Sequence, residues 1–158
     1  MFRILTYALQ FHRPPKASGG AERLTTAPGL RATTSLEGGL ISSRFDPLPG
    51  GLASYEAPYV LNHDGTLFFE WGVIRFGAEP GASELTFSSV GAGRLLGPPG
   101  ADGLSHGVVV WKIDSGTGAL AGAAGAITSN FLINLETDEL VDSHLGVVRL
   151  PDAQGGTQ

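Results

Sequence analysis

The amino-acid sequence predicts an all-β protein, an antiparallel barrel of eight strands closed on itself, with little helix. Three features predict it. Apolar and polar residues alternate with period 2 in a series of short runs, the pattern of strands that bury one face. The 24 glycines and 10 prolines of the 158 residues fall between those runs as turn punctuation, not in one low-complexity tract. Both faces of several strands are apolar: Leu67, Phe69, Trp71 and Val73 alternate with Phe68, Ile74 and Phe76. A monomeric sandwich keeps its outer face polar. Two apolar faces therefore point to a filled barrel with an oligomer interface outside, or to an internal cavity.

Taken in order, Phe2 to Phe11 is the first strand, with Phe2, Ile4, Thr6 and Ala8 on one face and Leu5, Tyr7, Leu9 and Phe11 on the other. The chain from His12 to Gly50 is irregular, with short strands around Leu30 to Leu36 and Leu40 to Phe45, and Pro47, Pro49, Gly50 and Gly51 close it as a loop. Ser54 to Leu61 and Thr66 to Phe76 form a hairpin through Asn62-His63-Asp64-Gly65, where Asp-Gly supplies the positive-φ positions of a tight turn. Glu84 to Val90 pairs on, and Gly91 to Gly103 is a long glycine-proline connection. Gly107 to Asp114 is strongly β, and Ser115-Gly116-Thr117-Gly118 breaks it. Ala126 to Leu135 and Glu139 to Leu150 make a last hairpin through Glu136-Thr137-Asp138.

Residues 1–151 read as one domain and 152–158 as a polar, frayed tail. Charged residues make up 16% of the chain, below the typical share of about 25%, and 42% is apolar, so the chain folds. The net charge of −5 and ten scattered Lys and Arg argue against nucleic acid, which needs a clustered basic face. With no cysteine there is no disulfide, thiolate metal site or cysteine nucleophile. Met1 to Phe11 is too punctuated for a signal peptide, and no stretch approaches the roughly 18 apolar residues of a membrane span. The expected location is cytoplasmic.

One segment goes beyond fold class. Gly116-Thr117-Gly118-Ala119-Leu120-Ala121-Gly122-Ala123-Ala124-Gly125, followed by Ala126 to Leu135, resembles the turn and strand G-T-G-x-[aliphatic]-x-G-A-x-G of the allene oxide cyclase and dirigent-like barrels. Glycines and small residues at that spacing let the backbone cross tightly between neighbouring strands. The resemblance covers about a fifth of the chain. It implies an eight-stranded barrel of lipocalin-like shape, self-association as a dimer or trimer, and an apolar cavity that steers reactive intermediates without a cofactor. It assigns no individual site residue.

Glu70 is the leading candidate for chemistry, as the lone charge in Leu67-Phe68-Phe69-Glu70-Trp71-Gly72-Val73-Ile74. It shares a face with Phe68, Gly72 and Ile74, where desolvation would raise its pKa towards that of a general acid or base. The competing reading turns it outward or pairs it with Arg75. Asn130 and Asn134 share a face with Thr128 and Leu132 and are candidates for ordering a water or holding a ligand oxygen, and equally for capping loops or facing solvent. Trp71, Trp111 and Tyr59 are candidate cavity walls, and Tyr55 and Arg75 weaker polar contacts.

Asp142 and His144 project from one face of the last strand. A general base or half a metal site is conceivable there, but their polar neighbours favour a surface salt bridge. A metal would need a third ligand, with only His12, His63 and His106 as further imidazoles, so no metal is expected. Ser105-His106 and Ser143-His144 are sequence neighbours that point to opposite faces, and no nucleophile-elbow, phosphate-loop or dinucleotide glycine pattern is present.

Two functional readings follow. The first is a cofactor-free isomerase or cyclase acting on a small apolar, lipid- or polyketide-like intermediate, with Glu70 adjusting charge and the barrel restricting conformers. The second is a non-catalytic barrel that binds or carries a small hydrophobic ligand. Neither involves nucleic acid or a membrane.

Overall fold

A computed structural model describes residues 1–16, 25–28, 30–47, 52–77 and 83–152. Twelve strands are present among them: β1 (Phe2–Arg13), β2 (Thr25–Ala27), β3 (Leu30–Glu37), β4 (Leu40–Pro47), β5 (Ala53–Glu56) and β6 (Tyr59–Leu61). The rest are β7 (Leu67–Phe76), β8 (Glu84–Ser89), β9 (Gly93–Leu95), β10 (Ser105–Gly116), β11 (Ala124–Ile133) and β12 (Leu140–Pro151). The wall runs β1-β2-β5-β7-β8-β10-β11-β12, and β12 pairs antiparallel with β1 along its whole length, from Phe2↔Pro151 to Arg13↔Leu140. Eight antiparallel strands thus close a barrel, and the only helix described is the 3₁₀ turn Gly118–Leu120. No helix among the described residues is long and apolar enough to cross a membrane.

β6 and β9 extend two of the eight positions. β5 and β6 both pair with β7, and β8 and β9 both pair with β10 and β7, so each couple is one bent strand. The expected single strand Ser54–Leu61 is broken at Ala57-Pro58, because proline has no N–H for the ladder. At that bend the backbone crowds β7: a Cβ on Gly72 would lie 1.9 Å from the Glu56 carbonyl oxygen. The Gly91–Gly103 connection likewise contains β9, whose Gly93 sits flat under the Phe68 ring. β3 and β4 lie off the barrel as a separate two-stranded sheet, turning at Gly38-Gly39 with φ of 58° and 82°.

Parity decides which side chains fill the interior. Odd residues of β1, β10 and β11 and even residues of β7 and β12 point inward. Phe11, Ile74, Leu85, Phe87, Ile127 and Val148 are almost fully buried there. Across the middle of the barrel Phe11, Tyr55, Trp111 and His144 form a layer of rings, with centroids 4.6 Å apart for Phe11–His144 and 4.7 Å for Trp111–His144. Phe87 stacks on Trp111 at 4.0 Å. Glycine makes room for large rings on neighbouring strands: a Cβ on Gly146 would meet Tyr7 Cε1 at 2.1 Å, and one on Gly107 would meet Phe131 Cζ at 2.0 Å.

The Gly116–Gly125 segment performs the tight crossing read from its composition. A Cβ on Gly116 would meet the Leu120 carbonyl at 2.1 Å, and Gly125, at φ 149°, packs against the Val147 carbonyl. The residues that face outward are unusually apolar for a solvated sheet, among them Phe69, Trp71, Val110, Leu145 and Val147. Neighbouring strands bring them into adjoining rows, through Val110↔Thr128, Thr128↔Leu145 and Ala126↔Val147.

Candidate functional site

The barrel is open at the end where β1 finishes and β12 begins. There β6 and β9 raise the wall, and a pocket of about 90 Å³ opens to solvent. One water takes roughly 10–15 Å³ on that scale, so the pocket has room for roughly six to nine heavy atoms. Its walls are apolar, made by Leu61, Phe68, Leu95, Phe131, Ile133 and Leu140. Tyr59, half-exposed, stands on its outer side. Arg13, the last residue of β1, also lines it but is tied by a salt bridge to Asp138 and by its Nε–H to the Asp138 carbonyl.

The polar atoms lie at the buried inner end, on Tyr55, Glu70 and Asp142. Period 2 along β7 turns Glu70 inward with Phe68 and Ile74. Trp111 Nε1–H donates to Glu70 Oε1 at 2.8 Å. No hydrogen bond is made to Oε2 among the described residues, and no ion pair reaches this carboxyl. Burial pushes the Glu70 pKa up to about 7, helped by the nearby Asp142 charge and opposed by the Trp111 hydrogen bond. Near neutral pH the group therefore exists in both protonation states. That is the condition for taking or giving a proton at little cost.

Asp142 is almost fully buried. Its Oδ2 accepts from the Tyr55 hydroxyl at 2.8 Å and lies 3.0 Å from His144 Nε2, while Oδ1 accepts from the Ser129 hydroxyl at 2.7 Å. Desolvation and the Asp142 charge hold the Tyr55 hydroxyl well above the ordinary tyrosine range, so it stays protonated. Two hydroxyls thus donate to the Asp142 carboxyl, the His144 ring nitrogen lies against it, and it lines the pocket beside Tyr55.

The sequence-derived candidates fall into three groups. Glu70 and Tyr59 line the pocket, and Trp111 reaches it only through its hydrogen bond to Glu70. Trp71 is on the outer face, 48% exposed, because it is one residue out of step with Glu70. Asn130 also points outward, since the face it shares with Thr128 and Leu132 is the outside of β11. Asn134 caps the β11–β12 turn, its Oδ1 accepting from the backbone N–H of Glu136 and Thr137. The competing partner for Glu70, Arg75, is paired with Glu56 and Glu84 instead.

Asp142 and His144 are the clearest correction. The expected surface salt bridge is a buried pair on the inner face of β12, in line with Leu140, Gly146, Val148 and Leu150. That run of apolar and small residues at even positions was the available signal, and the equally apolar Val141, Leu145 and Val147 at odd positions masked it. Tyr55, a weaker candidate, is a pocket residue for the same reason: it shares parity with Ala53. Among the described residues no cluster of three or more acidic, histidine or cysteine side chains has the arrangement of a metal site.

No protein-family model and no curated protein sequence matches the chain. Among solved structures it is similar to the pterocarpan synthase dirigent protein GePTS1, with a TM-score of 0.51 and 14% identity over 99% of this chain and 90% of that one. At that identity the likeness is one of fold. It supports the dirigent-like barrel and not allene oxide cyclase in particular.

Proposed function

We propose that the open end of the barrel binds a small, largely apolar molecule and isomerises or cyclises it without a cofactor. Glu70 serves as the proton acceptor and donor. The observation that carries this reading is the Glu70 carboxyl: inward on an apolar strand, lining the pocket, pinned at Oε1 by Trp111, and with a pKa of about 7. A pocket sized for roughly six to nine heavy atoms holds a ring or a folded chain in few conformers, which lowers the entropic part of a barrier. The neighbouring fold supports a synthase in at least one protein, the pterocarpan synthase, although a fold does not carry its chemistry with it.

The test starts from native mass spectrometry of protein isolated from its own host, which retains a bound small molecule if the pocket is used. The same spectrum reads the subunit count, expected to be two or three through the apolar outer face around Trp71, Val110 and Leu145. The retained molecule or its precursor is then incubated in D₂O. Wild type is expected to wash solvent deuterium into the ligand and to turn it over. Glu70→Gln, which preserves shape and the Trp111 hydrogen bond, should lose at least tenfold in turnover measured at saturating ligand. Equal turnover in that variant would eliminate Glu70 as the acid or base, and no turnover by the wild type would leave a carrier rather than an enzyme.

A further inference from the structure

The inner end of the pocket has many hydrogen-bond acceptors and almost no spare donors. Trp111 Nε1–H is used on Glu70 Oε1, and Ser129 and the Tyr55 hydroxyl are both used on Asp142. Of the cations, Arg13 lines the pocket but is ion-paired with Asp138, and His144 is buried beside Asp142. Two carboxyl groups therefore face a small, apolar-walled volume, and one of them, Glu70, has no cationic partner among the described residues. A ligand carboxylate or phosphate entering here meets like charge at low dielectric when Glu70 is ionised.

We propose that the pocket selects a small apolar amine, its ammonium group against Glu70 Oε2 and its hydrocarbon frame against Phe68 and Phe131. An ammonium brings what the Glu70 carboxyl has no partner for among the described residues, a positive charge with several donors on one atom. The aromatic walls suit a cation as well as a ring, because π-faces attract positive charge. Arg13 does not oppose the cation strongly, since its charge is compensated by Asp138 at the turn. This inference rests on the pocket being the binding site. It narrows the ligand from any apolar molecule to a basic one, and excludes fatty acids.

Three probes of one shape test it: benzylamine, benzyl alcohol and benzoate, titrated at about pH 8 where Glu70 is mostly ionised and the amine still protonated. The two indole N–H signals of the protein report the site directly. Trp111 donates to Glu70 and should shift, whereas Trp71 on the outer face should not. Benzylamine is expected to bind at least tenfold more tightly than benzoate, with benzyl alcohol between them, and Glu70→Gln should shrink the amine's advantage to less than threefold. Benzoate binding as tightly as benzylamine, or an amine affinity untouched by Glu70→Gln, overturns the charge selection. Benzyl alcohol equalling the amine overturns it too, while leaving the pocket as a binding site. If none of the three moves the Trp111 signal, the pocket reading fails along with it.

Discussion

Asp142→Ala is expected to cost about 3–5 kcal/mol of folding stability, a large share of the roughly 5–15 kcal/mol that holds a domain of this kind together. The substitution removes a single carboxyl but strands three buried polar groups, the hydroxyls of Tyr55 and Ser129 and the His144 ring nitrogen. Ser129 and His144 are almost fully buried, so losing the carboxyl leaves their polar atoms out of bulk water. An opposing effect exists. Removing a buried charge also relieves its desolvation penalty, and some buried ionic groups are replaced by apolar ones at no loss. What decides the sign is that alanine is not shaped to fill the space, and its three partners remain polar. Chemical denaturation of the variant measures the outcome, with Asp142→Asn as a control that keeps an acceptor and should cost less than half as much. Unchanged stability in Asp142→Ala would mean that the carboxylate's burial costs as much as its hydrogen bonds contribute.

Glu70→Gln is expected to stabilise the protein above neutral pH, by up to about 3 kcal/mol at pH 8. The sign follows from the direction of the shift. Folding raises the Glu70 pKa from 4.5 to about 7, so the folded state favours the protonated carboxyl. Its stabilising contribution is complete below about pH 4.5 and is lost progressively as pH rises through 7, after which the folded protein carries a poorly solvated anion. Glutamine is neutral at every pH and still accepts from Trp111. Wild type and variant should therefore denature alike near pH 4 and diverge between pH 4.5 and 7. Parallel pH profiles for the two proteins would show that Glu70 ionises as freely when folded as when unfolded. Together with the tenfold loss of turnover expected of the same variant, this describes a residue retained for chemistry at the expense of stability.

The closed β-architecture was legible because strand parity and turn chemistry are local. Alternating runs such as Val108 to Ile113, Asp-Gly at residues 64–65 and the glycine crossing at 116–125 each specify their own geometry from neighbours in sequence. Glu70 was legible for a related reason: a single carboxyl in a run of apolar residues has few places to go, and its parity with Phe68 and Ile74 sends it inward. Where a strand is apolar on one face and mixed on the other, as in β11 and β12, parity alone does not say which face is the inside. The side taken by Asn130 therefore stays open between ligand and solvent, and the Asp142–His144 pair is placed on the wrong side.

Only closure of the barrel decided those questions. Residues 55, 70, 111, 129, 142 and 144 come from six different strands or strand positions, and nothing local links Tyr55 to Asp142 or Trp111 to Glu70, 87 and 41 residues apart. Their hydrogen bonds exist because eight strands at fixed spacing and register wrap them onto one axis, and the same wrapping removes water from the carboxyl groups. Local sequence chose strand and face for Glu70. The desolvation that brings its pKa to neutrality, and the acceptor-rich pocket it faces, belong to the assembled barrel.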